Sequence, residues 1–155
     1  MPDIILTTLN ARYSHASLGL RYLYANLGEL QARAVIREFT IALRPLDIAE
    51  QLLAENPKII GLGVYIWNIT EATALVSLLK QLAPNVTVIV GGPEVSYEPE
   101  QQNIVKIADY LITGAAEVSF RQICEQLLCG QRPLQKITKG EPVPLAQLSS
   151  PYQYY

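Results

Sequence analysis

Histidine is almost missing from this 155-residue chain, occurring once, at His15. Imidazole is the commonest general base and metal ligand near neutral pH, so its scarcity argues against a self-contained acid–base or metal catalyst. The only cysteines are Cys124 and Cys129, too few for a disulfide framework or a four-ligand zinc site. An excess of one charge is lacking too: 12 Lys+Arg stand against 14 Asp+Glu, a net charge of −2, which speaks against a general nucleic-acid binder. The apolar runs near 59–66 and 86–90 fall far short of the roughly 20 residues that cross a bilayer, so no membrane partner is expected. The start, Met1-Pro2-Asp3-Ile4-Ile5-Leu6, has no basic region and no small-residue cleavage site. That pattern leads us to expect a cytoplasmic protein without a signal peptide.

What is present is a chain with 50% apolar and 17% charged residues, the composition of one compact domain. Short β-rich segments alternate with helical patterns up to about Cys129, the signature of a parallel sheet covered by helices. The strands read as Ile4–Thr8, Val35–Thr40, Lys58–Val64, Val86–Gly91 and Asp109–Thr113. Three of them are nearly continuous apolar runs, as expected where both faces of a sheet are buried. Leu20, Leu23, Tyr24 and Leu27 form the first helical stripe, with Ser17 as N-cap. Pro45 suits the first turn of a second helix with Leu46, Ala49 and Leu53 inward. A third begins near Asn68, where Glu71 suggests a capping box, and runs through Ala72, Val76 and Leu79 to Pro84-Asn85. A short helix near Glu100–Ile107 and a last one bearing Phe120, Ile123, Cys124 and Leu127 complete the pattern. Beyond Gly130 the texture changes: four of the ten prolines lie between Pro133 and Pro151, so residues 131–155 read as an extended arm or linker, with a possible short edge strand at Gln135–Thr138. The aromatic end, Tyr152 to Tyr155, reads as leading into or packing on something outside this chain.

In an open parallel sheet, ligands bind beyond the carboxyl ends of the strands, and here the glycines gather at those ends. Gly61 and Gly63 close the third strand, Gly91 and Gly92 the fourth and Gly114 the fifth. Each can serve its turn alone, but together they let backbone approach a large ligand along one edge. The loop after the first strand, from Leu9 to Ala16, is longer than a βα connection requires and holds Asn10, Ala11, Arg12, Tyr13, Ser14 and His15. After the third strand, Val64-Tyr65-Ile66-Trp67-Asn68 supplies aromatic surface for a flat apolar ligand or for loop packing. Glu94 and Glu117 are acid–base candidates or simply acidic residues at helix starts. No Walker A motif, no G-x-G-x-x-G after the first strand and no nucleophile elbow occur. The segment reads as a binder rather than an independent catalyst.

Four runs carry a family resemblance: Asn10-Ala11-Arg12-Tyr13-Ser14-His15, Gly61-Leu62-Gly63-Val64-Tyr65-Ile66-Trp67-Asn68, Gly91-Gly92-Pro93-Glu94-Val95-Ser96-Tyr97 and residues 109–120, with Gly114, Glu117 and Phe120. Over residues 3–130, in order and spacing, the chain resembles the N-terminal cobalamin-binding domain of cobalamin-dependent radical S-adenosylmethionine (SAM) proteins. The resemblance implies an α/β, flavodoxin-like (Rossmann-like) three-layer sandwich with a five-stranded parallel sheet of order 2-1-3-4-5. It also implies a corrin at the sheet edge and a nucleotide tail entering beside the first, third and fourth strands. By the same resemblance, the loop from Asn10 to Gly19 faces the lower side of the corrin. Gly63, Val64 and Tyr65 line the tail channel, Gly91, Gly92 and Pro93 contact the nucleotide or corrin rim, and Gly114 and Glu117 close the site. Many cobalamin domains carry Asp-x-His-x-x-Gly, whose histidine binds cobalt. Here the Asp is missing and three residues, not two, separate His15 from Gly19, so a lower face without imidazole is expected.

The radical half of such proteins holds a [4Fe–4S] cluster and SAM through Cys-x-x-x-Cys-x-x-Cys, which Cys124 and Cys129 do not supply. The resemblance therefore implies a cobalamin-binding domain, 1–130, whose arm leads toward a covalently following radical SAM domain. The parent reaction it implies is radical methylation or another carbon-centred rearrangement. Two other readings remain open: a flavodoxin-like interaction or regulatory domain without cofactor, and a flavin or nucleotide binder.

Overall fold

A computed structural model describes residues 1–12 and 16–155. Among these residues six strands form one parallel sheet: β1 (Ile4–Asn10), β2 (Ala34–Thr40), β3 (Ile59–Gly63), β4 (Thr87–Gly91), β5 (Tyr110–Thr113) and β6 (Ile137–Lys139). Their spatial order is β2-β1-β3-β4-β5-β6. The expected order 2-1-3-4-5 stands, and the count of five is corrected to six by β6, which pairs Ile137 with Leu111 and Lys139 with Thr113. This edge strand begins two residues later and ends one residue later than the run expected at Gln135–Thr138.

Among the described residues, five α-helices cover the sheet: α1 (Leu18–Ala25), α2 (Pro45–Ala54), α3 (Ile69–Leu82), α4 (Asn103–Ile107) and α5 (Glu117–Leu128). Side chains alternate across a strand, so each strand feeds two cores. Ile5, Ile60, Val88 and Leu111 pack with α2, α3 and α4 on one face. Ile4, Leu6, Ile59, Ile89 and Ile112 pack with Leu20 of α1 and Phe120 of α5 on the other. On that second face, α1 joins β1 to β2 and α5 joins β5 to β6, each leading away from the middle of the sheet. The crossovers belonging to β3 and β4 lie on the opposite face.

Ser17 caps α1 as expected, its hydroxyl accepting the Leu20 N–H at 3.2 Å. Pro45 opens α2, but the buried face is Ile48, Ala49 and Leu52, while Leu46 is exposed. The stripe expected at Leu46, Ala49 and Leu53 is thus rotated by part of a turn, because contact with α3 and the sheet, not composition alone, selects the inward face. The capping box at Asn68 is not made either; that side chain turns back into the sheet.

The arm beyond Gly130 does not project away from the domain. Its glycine at 140 donates its N–H to Thr113 O at 2.7 Å, and Ser149 N–H reaches Asn26 Oδ1 at 2.9 Å. Tyr154 meets Tyr24 edge to face at 4.9 Å, and the Arg21 guanidinium lies 4.9 Å from the Tyr155 ring centre. The aromatic end, expected to engage something outside this chain, packs on α1.

Candidate functional site

Gly61, Gly63 and Gly91 share one property that their scatter in sequence conceals. Alternation from Ile59 and Ile89 puts all three positions on the α1–α5 face, and Gly63 pairs in register with Gly91. The middle of the sheet therefore lacks a column of side chains where no crossover helix of its own covers it. A cavity of ≈ 250 Å³ results. Its floor is β3, β4 and β5; Leu20 and Leu23 wall it from α1, and Phe120 from α5. Gly61 also has a packing role, since a Cβ there would come within 2.8 Å of the Phe120 ring.

The mouth lies at the carboxyl edge, where Gly92, Pro93, Gly114 and Glu117 complete the lining. Gly92 has φ +123° and abuts the Val64 backbone so closely that any side chain would collide with it. Its conformation and the crowding both demand glycine. Ser96 joins two loops, its hydroxyl donating to Gly92 O at 2.8 Å and accepting the Gly114 N–H at 3.1 Å.

Asn68 organises the turn after β3. Fully buried, it accepts the Tyr65 N–H at 2.8 Å and donates to Leu9 O at 3.0 Å and Thr8 Oγ1 at 3.2 Å. Thr8 in turn donates to Gly63 O at 2.7 Å. These bonds present Tyr65 and Trp67 as a parallel stack with ring centres 4.5 Å apart. Trp67 donates to Leu9 O at 3.3 Å yet stays half exposed, beside the exposed Ile66. Trp67 thus presents flat apolar surface at the edge, outside the cavity that its stacking partner Tyr65 helps to line.

An ion pair holds the start of α1. Arg21 donates to Glu38 at 2.9 Å and to Ser17 O at 3.0 Å, while Glu38 accepts the Ser17 N–H at 2.6 Å. Burial pushes the Glu38 carboxyl up, but hydrogen bonds from Arg21, Ser17 and Asn10 and the Arg21 charge outweigh it, leaving its pKa below the ordinary value.

Of the sequence-predicted residues, Gly19, Gly63, Tyr65, Gly91, Gly92, Pro93, Gly114 and Glu117 line the cavity. Val64 does not: its side chain is buried in the opposite core. Asn10, Ala11, Trp67 and Glu94 lie outside the cavity lining, Asn10 being engaged with Glu38. Tyr13, Ser14 and His15 lie outside the described residues, and the expectation for His15 with them. Sequence reasoning gave no binding role to Leu20, Leu23 or Phe120 of the cavity or to the organising residues Asn68 and Ser96, and named Gly61 only among the strand-end glycines. The signals available were the i, i+2 spacing of Gly61 and Gly63 and the helical stripes. Cys124 offers no ready thiolate, because burial chiefly, aided by the Glu125 charge, pushes its pKa up to about 12. Among the described residues no group of three His, Cys, Asp or Glu is placed to hold a metal ion, and no helix is long and apolar enough to cross a membrane.

A family model described as the B12 binding domain matches residues 4–124. The chain belongs to this B12-binding family. It is 32% identical over 110 residues to the cobalamin-dependent radical SAM methyltransferase TokK of Streptomyces tokunonensis, covering 68% of this chain and 16% of that protein. It is 27% identical over 115 residues to an uncharacterised methyltransferase of Pyrococcus horikoshii, covering 74% and 25%. Among solved structures, the radical SAM methyltransferase TsrM of Kitasatospora setae superposes with a TM-score of 0.64 at 15% identity, over 83% of this chain and 26% of that one. The chain therefore spans a quarter or less of the curated relatives it matches. The B12-binding match runs from β1 into α5 and includes every residue lining the cavity.

Proposed function

We propose that this B12-binding domain holds cobalamin for a longer radical SAM enzyme, with the nucleotide tail in the cavity between α1 and α5 and the corrin across the carboxyl edge. The observation that carries the reading is the side-chain-free column of Gly61, Gly63 and Gly91 beneath an apolar gap. A long, flat group can slide along backbone there, whereas a side chain at these positions would fill its path. The residues fit such a tail: Leu20, Leu23 and Phe120 would grip its apolar base, and Gly19, Gly63, Tyr65, Gly91, Gly92, Pro93, Gly114 and Glu117 would surround its entry. Asn10, Ala11, Tyr13, Ser14, His15, Trp67 and Glu94 would border the corrin, and only the backbone of Val64 would reach the site. We read the lower cobalt face as free of imidazole.

Cobalamin, when bound, supplies a methyl carrier or radical partner. This chain's own residues bind and orient it; Asn68 and Ser96 hold the loops against which it would rest. Residues 131–155 would lead to a radical SAM domain with a [4Fe–4S] cluster, in a cytoplasmic methyltransferase or an enzyme of carbon-centred rearrangement. Titration with hydroxocobalamin tests the module. A shift of the corrin absorption bands with a measurable heat at tens of micromolar protein is expected, and the absence of both would overturn the reading.

A further inference from the structure

We propose that the cavity selects the lower base of the corrinoid, favouring an apolar benzimidazole over a purine. This rests on the tail lying in the cavity, as proposed above, and concerns which tail it accepts. The wall side chains are hydrocarbon: Leu20 and Leu23 from α1, Ile89 and Ile112 from the sheet, and Phe120 from α5. The polar side chains of the lining, Tyr65 and Glu117, both belong to the mouth: one follows β3 and the other begins α5.

The backbone carbonyls of Gly63, Gly91 and Gly92 already have partners, which leaves them little to offer a polar base. Gly63 O accepts from Thr8 Oγ1 at 2.7 Å, and Gly91 O accepts from Val64 N–H at 2.8 Å. Gly92 O accepts from the Ser96 hydroxyl, which itself takes the Gly114 N–H. Deeper in the cavity, β3 and β4 exchange ladder bonds. The benzo edge of dimethylbenzimidazole carries only carbon and hydrogen, and its one free ring nitrogen has a counterpart in adenine, so it brings the smaller polar burden into this setting. Adenine has similar size but brings an exocyclic amine and ring nitrogens that leave water without replacement partners. One unpaired buried polar group weakens binding by about tenfold or more, while an apolar pocket rarely rejects a near-isostere by more than about a hundredfold.

The experiment compares dissociation constants of the 155-residue chain for hydroxocobalamin, its adenine-bearing analogue and cobinamide, which has no nucleotide. Cobalamin is expected to bind about ten- to a hundredfold more tightly than the adenine form, with cobinamide weaker than cobalamin. Equal binding of the two base-bearing forms, both above cobinamide, would overturn the selectivity. Equal binding of cobinamide and cobalamin would place the tail outside the cavity and overturn this inference while leaving cobalamin binding intact. If no corrinoid binds, the proposed function itself fails. Leu23→Gln adds a polar group to the cavity wall at a half-buried helix position. In protein whose unfolding curve confirms folding, it should narrow the ratio between the two bases; an unchanged ratio would count against the wall as the selector.

Discussion

The two faces of the sheet are made from alternate residues of the same strands, and they differ in what they leave empty. Toward α2, α3 and α4, β3 and β4 present Ile60, Leu62, Val88 and Val90, each buried to 2% exposure or less. Toward α1 and α5, the same strands present Ile59 and Ile89 and then, nearer the carboxyl edge, Gly61, Gly63 and Gly91. One face is thus filled to the density of a protein interior, and its neighbour one residue away is opened into a cavity. A parallel strand buried on both sides can therefore divide its work by residue parity: one parity supplies cohesion, the other supplies space. The packed face holds the frame steady enough for the open face to stay open.

Four substitutions would break or sharpen this contrast. The largest effect is expected at the turn both faces depend on: Gly92→Val should destabilise by about 3–5 kcal/mol, from left-handed backbone strain and collision with Val64, as a fall in the urea midpoint would show. Leu75→Ala, deep in the packed face, should cost about 3 kcal/mol, yet cobalamin affinity of the folded protein should stay within about twofold, because the cavity is built on the other side. Glu38→Gln should cost about 2 kcal/mol near neutral pH, between an exposed and a fully buried pair. Its folded pKa is lowered from the ordinary 4.5, so its stabilisation is present above that value and lost as pH falls through the lowered one. In the variant, the acid limb of stability against pH should flatten, which thermal melts across about pH 3 to 7 would reveal.

The smallest stability effect is expected on the open face. At Gly63 a Cβ would meet Thr8 and Tyr65 at an ordinary 3.4 Å, so Gly63→Ala should shift stability by no more than about 1 kcal/mol. Its methyl should nevertheless reduce cobalamin affinity by about tenfold, measured by titration. Loss of stability with affinity retained would reverse the contrast between the faces.

Much of the architecture was legible along the chain because it depends on local period. The strand runs, the Ser17 cap and the stripe through Leu20 and Leu23 all follow from neighbours a few positions apart. The clustering of glycines at strand ends was legible in the same way and pointed to Gly61, Gly63, Gly91, Gly92 and Gly114 around the cavity, while Gly19, Tyr65, Pro93 and Glu117 came through the family resemblance. Asn68 was misread because its partners, Thr8 and Leu9, lie about 60 positions away, and a helix-start pattern was the only local signal. Val64 was assigned to the site by its place in a motif, whereas strand alternation sends its side chain into the opposite core. The seating of Tyr154 on Tyr24 likewise joins distant segments that no local pattern links.

Glycine at 61, 63 and 91 is written into the chain, and so is the period of two that keeps the first two positions on a common side. Whether that side would be filled or hollow was beyond any local pattern. It depended on parallel register, which sets Gly63 beside Gly91, and on crossovers that carry α1 and α5 away from the centre of one face while α2, α3 and α4 cover the other. Those are contacts between remote segments, settled by the packing of the whole sheet, and they turn three absent side chains into a site.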